Sequence, residues 1–106
     1  MLKMVFLVPK RPDMDATEFR RYWRETHGPI AAKIPGLRKY IQNHSIGNSD
    51  GVPPAYDGFA ELWFDSAEAF EQGLASPEGQ AAIADSANFI DVDRMQSFGV
   101  DEVTIV

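Results

Sequence analysis

Runs of apolar residues, separated by polar and turn-forming segments, predict four strands and three helices in this 106-residue chain. Short apolar, β-branched runs predict strands at residues 2–8 and 58–64. A second strand is predicted at residues 37–46, although neither of its faces is cleanly apolar. A closing strand is predicted within residues 95–106, with a bulge at Gly99.

The first predicted helix carries the clearest signals in the chain. Asp15 stands where an N-cap is expected, and Glu18 follows three residues later, which is the spacing of a capping box. At about 100° per residue, one side of the helix is an apolar stripe and the opposite side carries arginines and glutamates. The stripe consists of Phe19, Tyr22, Trp23, Thr26 and Ile30. The helix is predicted to reach residue 32 or 33, with a kink near Gly28 and Pro29, because proline removes a backbone donor.

Two more helices and the overall order of elements follow from similar signals. Asp65 with Glu68 predicts the cap of a short helix, and Ser76 followed by Pro77 begins an alanine-rich helix that runs to about residue 88. The order β-α-β-β-α-α-β is that of a ferredoxin-like split βαβ fold, of the α+β class, with a four-stranded antiparallel sheet. No linker or repeat interrupts it, so we predict a single domain over residues 1–106.

A four-stranded sheet with helices on one face leaves its other face bare. Phe59 and Trp63, or the opposite set of residues in the same strand, would then lie in water. Such an apolar patch is larger than monomeric proteins usually expose. Two sheets stacked face to face would bury it, so we expect a homodimer.

The amino-acid composition limits the classes of partner that the protein is expected to bind. The chain has 10 basic and 16 acidic residues, for a net charge of −6, which argues against nucleic acid or an anionic membrane. No apolar run approaches the ~20 residues of a membrane-spanning helix. With no cysteine there is no disulfide or thiol nucleophile, and there is no glycine-rich phosphate loop. We expect a cytoplasmic protein, and two scattered histidines without cysteine do not predict a metal site.

The two histidines are the main candidates for proton transfer near neutral pH. His27 is expected near solvent at the edge of the apolar stripe, one turn after Trp23, where an imidazole can face a cavity. Alternatively, His27 only hydrogen-bonds a carbonyl where Pro29 disturbs the helix.

Several other side chains are candidate walls of a substrate pocket. Trp23 and Trp63 could instead simply pack in the core. The hydroxyl groups of Tyr22 and Tyr40 need a hydrogen-bond partner or water, which favours a position at a pocket. Tyr56 lies at the rim of a predicted loop over residues 47–57, where glycine and proline are dense. Glu61, in the middle of a strand, is expected to pair with an arginine such as Arg38; alternatively it faces solvent or serves a site. The full set of substrate-binding candidates is Tyr22, Trp23, Tyr40, His44, Tyr56 and Trp63.

The spacing of residues around His27 resembles the signature of the EthD family, named for ethyl tert-butyl ether degradation. The motif reads Phe19-x-x-Tyr22-Trp23-x-x-x-His27-x-Pro29, followed by Pro35-Gly36-Leu37-x-x-Tyr40. The family belongs to the dimeric α/β-barrel superfamily, so the resemblance implies that fold over nearly the whole chain. His27 matches the histidine of the motif, and the resemblance implies that it is the general acid or base.

The resemblance also implies a range of activities. It implies a cofactor-independent isomerase, lyase or dehydratase that acts on a small aromatic, polyketide or lactone-like metabolite. Methylmuconolactone isomerases carry a cysteine in the third strand, where this chain has Leu62, so that particular reaction is not expected here. Two alternatives stay open: a protein that binds a hydrophobic metabolite without chemistry, and a haem-binding dimeric barrel, since some superfamily relatives bind haem through a histidine.

Overall fold

The computed structural model describes residues 1–106 and contains one four-stranded antiparallel sheet. The strands are β1 (Leu2–Val8), β2 (Lys39–His44), β3 (Gly58–Phe64) and β4 (Gln96–Val100). Their spatial order is β2-β3-β1-β4, and each neighbouring pair is antiparallel. Together with the helices between them, this confirms the predicted ferredoxin-like α+β fold.

The first predicted helix is interrupted by a π-helical turn. The helices are α1 (Ala16–Tyr22), α2 (Gly28–Ala31), α3 (Ala67–Ala75) and α4 (Pro77–Ser86). As predicted, the Asp15 side chain caps α1 by accepting the backbone N–H of Glu18 at 2.8 Å. Between α1 and α2 the chain forms a π turn over Trp23–His27, just before Gly28 and Pro29, where a kink was expected. The N–H of Gly28 donates to the carbonyl oxygen of Trp23. No helix in the fold has the length and apolar character to cross a bilayer.

The cap of α3 and the ion pair of Arg38 differ from the prediction. The cap is Ser66, whose hydroxyl oxygen accepts the N–H of Ala69 at 3.0 Å. Asp65, the predicted cap, instead pairs with Arg38 at 2.8 Å. Arg38 is therefore not the partner of Glu61.

The bounds of β2, β4 and α4 also differ from the prediction. β4 occupies Gln96–Val100, and the last apolar residues of the chain, from Val103 onward, lie outside the sheet. Val100 pairs with Lys3, so only the first two residues of the chain remain beyond this pair for a longer closing strand. Gly99 pairs with Met4 in regular register and forms no bulge. β2 is shorter than the predicted residues 37–46, and α4 ends two residues before the predicted position.

The strand register places alternate side chains on two very different faces of the sheet. The face toward the helices forms a buried core with α1 and the π turn. Its members include Val8, Ala60, Leu62 and Phe64 from the sheet and Phe19 and Trp23 from the helical layer.

The opposite face carries no helix and mixes apolar with charged side chains. The paired positions on this face include Lys3, Val5, Leu7, Ile41, Phe59, Glu61, Trp63 and Phe98. The ammonium group of Lys3 lies 2.6 Å from the Glu61 carboxylate. The same ammonium group and that of Lys39 lie 4.9 and 5.0 Å from the centre of the Trp63 ring. The bare face predicted from the sequence is therefore present and carries Trp63.

Substitution of Gly58 tests how closely Trp23 packs against the sheet. A Cβ atom at Gly58 would lie 2.8 Å from the Trp23 indole and against the carbonyl oxygen of Asn43. We expect Gly58→Ala to lower the free energy of unfolding by about 1–3 kcal/mol in urea denaturation, because the site is already filled. Gly99→Ala is the matched control, since its nearest neighbour would lie at an ordinary 3.5 Å. Equal stability of the two variants would contradict this account.

Candidate functional site

A cavity of about 410 Å³ lies between the sheet and the helical layer. Sixteen of its eighteen lining residues are hydrophobic. Ile83 and Val92 line it and are 49% and 47% exposed, so the cavity opens to solvent beside α4. Its remaining wall includes Phe6, Trp23, His27, Tyr40, Leu62 and Met95. Cavities of roughly 300–1,000 Å³ with apolar walls and few polar groups are typical of small-molecule sites.

His27 brings the main polar chemistry to this apolar wall. The expectation that it lies near solvent was wrong, since the residue is only 9% exposed. The π turn carries it inward, and its ring lies against Phe89 with 4.7 Å between ring centres. Its Nδ1 atom lies 2.9 Å from Oδ2 of Asp85. Its Nε2 atom makes no hydrogen bond with the protein. Because Nδ1 is turned to Asp85 and His27 lines the cavity, Nε2 is the ring nitrogen available to a molecule bound there.

Asp85, on α4, is held in place by three hydrogen-bond donors. The Tyr22 hydroxyl donates to Oδ1 at 2.6 Å, the Asn88 amide donates to Oδ1 at 3.0 Å, and His27 approaches Oδ2. Burial alone would raise the pKa of Asp85, but the hydrogen bonds from Tyr22, His27 and Asn88 together lower it. The carboxylate is therefore ionised at neutral pH and accepts a hydrogen bond from the protonated Nδ1 of His27.

The environment of His27 keeps its imidazole neutral. Burial lowers the pKa of His27 below 6.5, and the hydrogen bond to Asp85 opposes this only in part. With the proton on Nδ1, the lone pair is on Nε2, which faces the cavity. A neutral imidazole with an oriented lone pair beside a bound molecule can act as a general base.

Of the other predicted pocket residues, two line the cavity and one supports the histidine. Trp23 and Tyr40 line it directly. Tyr22 does not, because its hydroxyl is directed to Asp85. The predicted residue Tyr22 thus contacts the partner of His27.

The remaining three candidates lie elsewhere. His44 stacks on Trp23 with 4.4 Å between ring centres and hydrogen-bonds Gln42 at 2.8 Å, outside the cavity wall. Tyr56, on the loop before β3, lines no part of the cavity. Trp63 lies on the opposite face of the sheet, because it alternates with the core residues Leu62 and Phe64 along β3.

The sequence interpretation missed Asp85 and its neighbour Asn88. A signal was present: Asp85 stands in an alanine-rich helix, three residues after the buried Ala82 and four before the buried Phe89. A carboxylate at a buried helical position requires partners. The sequence alone, however, does not indicate which donors from other elements surround it.

Comparison with known proteins identifies relatives over most of the chain. The model of the EthD domain family matches residues 11–93. A curated relative, an uncharacterized 11.0 kDa protein in the thcB-thcC intergenic region of Rhodococcus erythropolis, is 34% identical over 92 residues. That alignment covers 87% of this chain and 87% of the relative.

Solved structures share the fold over nearly the full length. An EthD family protein from Bacillus halodurans is 24% identical with a TM-score of 0.80, over 97% of this chain and 100% of that one. A dimeric ferredoxin-like protein from Thermobifida fusca has a TM-score of 0.73 at 17% identity, covering 95% and 90%. SnoaB, a cofactor-independent oxygenase from Streptomyces nogalater, has a TM-score of 0.68 at 10% identity, covering 99% and 95%. The family match over residues 11–93 shows that this chain belongs to the EthD family.

Proposed function

We propose that this protein is a cofactor-independent isomerase, lyase or dehydratase in which His27 is the general base. The observation that carries the proposal is the His27 imidazole, anchored through Nδ1 to Asp85 at 2.9 Å and open through Nε2 to an apolar cavity. The substrate would be a small aromatic, polyketide or lactone-like molecule with an acidic C–H next to a carbonyl. SnoaB supports the idea that this fold accommodates chemistry without a cofactor.

The proposed reaction needs only a positioned base and a dry site. Nε2 takes the proton from the carbon, and the electron pair of the C–H bond forms the double bond of an enolate. Asp85 stabilises the imidazolium that forms and holds the ring in the required tautomer. Return of the proton to another carbon gives an isomer. Loss of a β-hydroxyl group, which takes up the proton from His27 as it leaves, gives water and a dehydrated product.

The apolar wall suits such a substrate. Trp23 is 1% exposed and offers an aromatic surface, and Leu62 and Phe6 contribute aliphatic and aromatic contacts. Exclusion of water strengthens the electrostatic effect of Asp85 on His27. A protein that only binds a hydrophobic metabolite would use the same wall but would not depend on the Nε2 lone pair. That difference separates the two functions experimentally.

We also propose that the protein acts as a homodimer. The sheet face opposite the helices carries Phe59 and Phe98, which are 39% and 48% exposed, beside Trp63. Stacking this face on a second copy would remove the apolar surface from water. The dimeric ferredoxin-like protein from Thermobifida fusca supports this arrangement.

Substitution of His27 tests the proposed base. The probe is 2-tetralone, an aromatic ketone whose α-protons exchange with deuterium from D₂O, followed by NMR. We expect His27→Gln to slow the protein-catalysed exchange by roughly 10²–10⁴, because the amide keeps a hydrogen bond to Asp85 but takes no proton. Glutamine is preferred to alanine, which would leave Oδ2 of the buried Asp85 without its hydrogen-bond partner and destabilise the fold.

Asp85→Asn is expected to slow the exchange as well, because the tautomer of His27 is no longer fixed. Its matched control is Asp101→Asn, which replaces an exposed carboxylate of the C-terminal segment and should leave the rate unchanged. Folded His27→Gln protein with the wild-type exchange rate would rule out the catalytic role and leave the metabolite-binding function.

The pH dependence offers an independent test of the neutral histidine. Because burial lowers the pKa of His27 below 6.5, the exchange rate should fall at a more acidic pH than the titration of an exposed histidine would give. The free energy of unfolding should also fall as the pH drops through 6.5, since the unfolded chain takes up the proton first. His27→Gln should reduce this slope; His44, whose pKa is lowered by burial and by Arg20 and Arg24, contributes the remainder.

Sedimentation velocity tests the homodimer. At micromolar concentration we expect a species of about twice the 11.8 kDa chain mass. Trp63→Glu places a second carboxylate beside Glu61 on the bare face and should shift the equilibrium toward monomer. A wild-type protein that sediments as a single chain at this concentration would contradict the proposal.

A further inference from the structure

The orientation of the Gln42 amide is fixed by its surroundings. Its Nε2 lies 2.9 Å from the carbonyl oxygen of Trp23 and 2.8 Å from Oη of Tyr40. A backbone carbonyl only accepts hydrogen bonds, so the NH₂ group of the amide must be the side that faces it. Both amide hydrogens are then used, one on Trp23 and one on Tyr40.

The same orientation sets the tautomer of His44. With the NH₂ group turned to Trp23, Oε1 of Gln42 faces Nε2 of His44 at 2.8 Å. Because Oε1 only accepts, Nε2 of His44 carries a hydrogen and donates it. Donation therefore runs in one direction, from His44 to Gln42 and from Gln42 to the Tyr40 oxygen.

The end of this chain of hydrogen bonds is the Tyr40 hydroxyl. Its oxygen accepts from Gln42, and its own hydrogen is donated to no protein group. The side chain lines the apolar cavity, whose other polar wall residues are His27 and Ser86. The structure shows no hydrogen bond from the Tyr40 hydroxyl to either of them. A hydroxyl hydrogen in such a place lacks the acceptor that buried donors normally have. A ligand in the cavity would supply it.

We propose that the Tyr40 hydroxyl donates a hydrogen bond to the carbonyl oxygen of the substrate, with Gln42 as the residue that positions it. This rests on the proposed function, because Tyr40 and His27 line the same cavity and would act on the same molecule. As the proton moves from carbon to Nε2 of His27, the electron pair of the C–H bond becomes a carbon–carbon double bond. The carbonyl oxygen becomes the enolate oxygen, and the donor from Tyr40 stabilises its charge.

The proposal narrows the substrate class. A site with a committed donor selects molecules with an acceptor oxygen, because the analogue without that oxygen leaves the donor unpaired. The ligand is therefore an apolar molecule with a carbonyl oxygen next to the acidic C–H, as in a ketone or a lactone.

A pair of probes that differ only in the oxygen tests this. We would titrate 2-tetralone, which has a carbonyl acceptor, and tetralin, which has the same rings without oxygen, into the full-length protein by calorimetry. We expect Tyr40→Phe to weaken 2-tetralone binding about tenfold and to leave tetralin binding unchanged. Tyr56→Phe is the matched control, because Tyr56 lines no part of the cavity, and it should preserve the preference for 2-tetralone.

Gln42→Glu is a second variant that keeps the Tyr40 hydroxyl. An ionised glutamate only accepts, so it would draw the Tyr40 hydrogen toward itself and away from the ligand. We expect the same loss of preference for 2-tetralone as in Tyr40→Phe. A residue that only supported the fold would weaken the binding of both probes equally.

The outcomes separate this inference from the proposed function. If wild-type protein binds the two probes equally or binds neither, or if Tyr40→Phe keeps the preference, the role of Tyr40 is overturned. Deuterium exchange that depends on His27 would still leave the base in place. Conversely, a preference that depends on Tyr40, with no exchange catalysed by the wild type, would support the donor and remove the proposed base.

Discussion

The π turn at Trp23–His27 is the constraint on which the rest of the site depends. A π turn inserts an extra residue into the helix, and such turns often occur at functional sites. Here it buries both Trp23 and His27, at 1% and 9% exposure. The carbonyl oxygen of Trp23 accepts both the N–H of Gly28 and the amide of Gln42. The turn thereby places the proposed base in the cavity wall and connects the helical layer to β2.

The buried polar groups are stable only because they satisfy one another. Burial of the Asp85 carboxylate among apolar side chains costs solvation free energy. The hydrogen bonds from Tyr22, His27 and Asn88 offset that cost. No fully enclosed side-chain nitrogen or oxygen atom lacks a partner in the structure. The network holds the imidazole in one orientation, because Asp85 is itself held from two sides.

The parts of the fold that local patterns control were predictable. Alternation and composition predicted the positions of the strands. Asp15 predicted the beginning of α1, because a helix cap is a contact between residues close in sequence. The EthD motif predicted that His27 belongs to the site. The burial of His27 and its pairing with Asp85, 58 positions away, depend on how α4 packs against the π turn, and no local pattern records that. Alternation along β3 separates Trp63 from Leu62 and Phe64, but it does not indicate which face packs against the helices. Trp63 was therefore predicted to line a pocket, although it lies on the bare face.

The polar groups that line the cavity differ from the polar groups behind its wall in whether the protein supplies their hydrogen-bond partners. Asp85 and Gln42 have their hydrogen-bonding capacity occupied by protein groups, whereas Nε2 of His27 and the hydrogen of the Tyr40 hydroxyl have no protein partner. One of these groups is an acceptor and the other is a donor, and both border the same apolar space. Local rules of satisfaction are usually broken where a function requires it. A ligand that offers a weakly acidic C–H to the first and an acceptor oxygen to the second would complete the pairing that the chain leaves open.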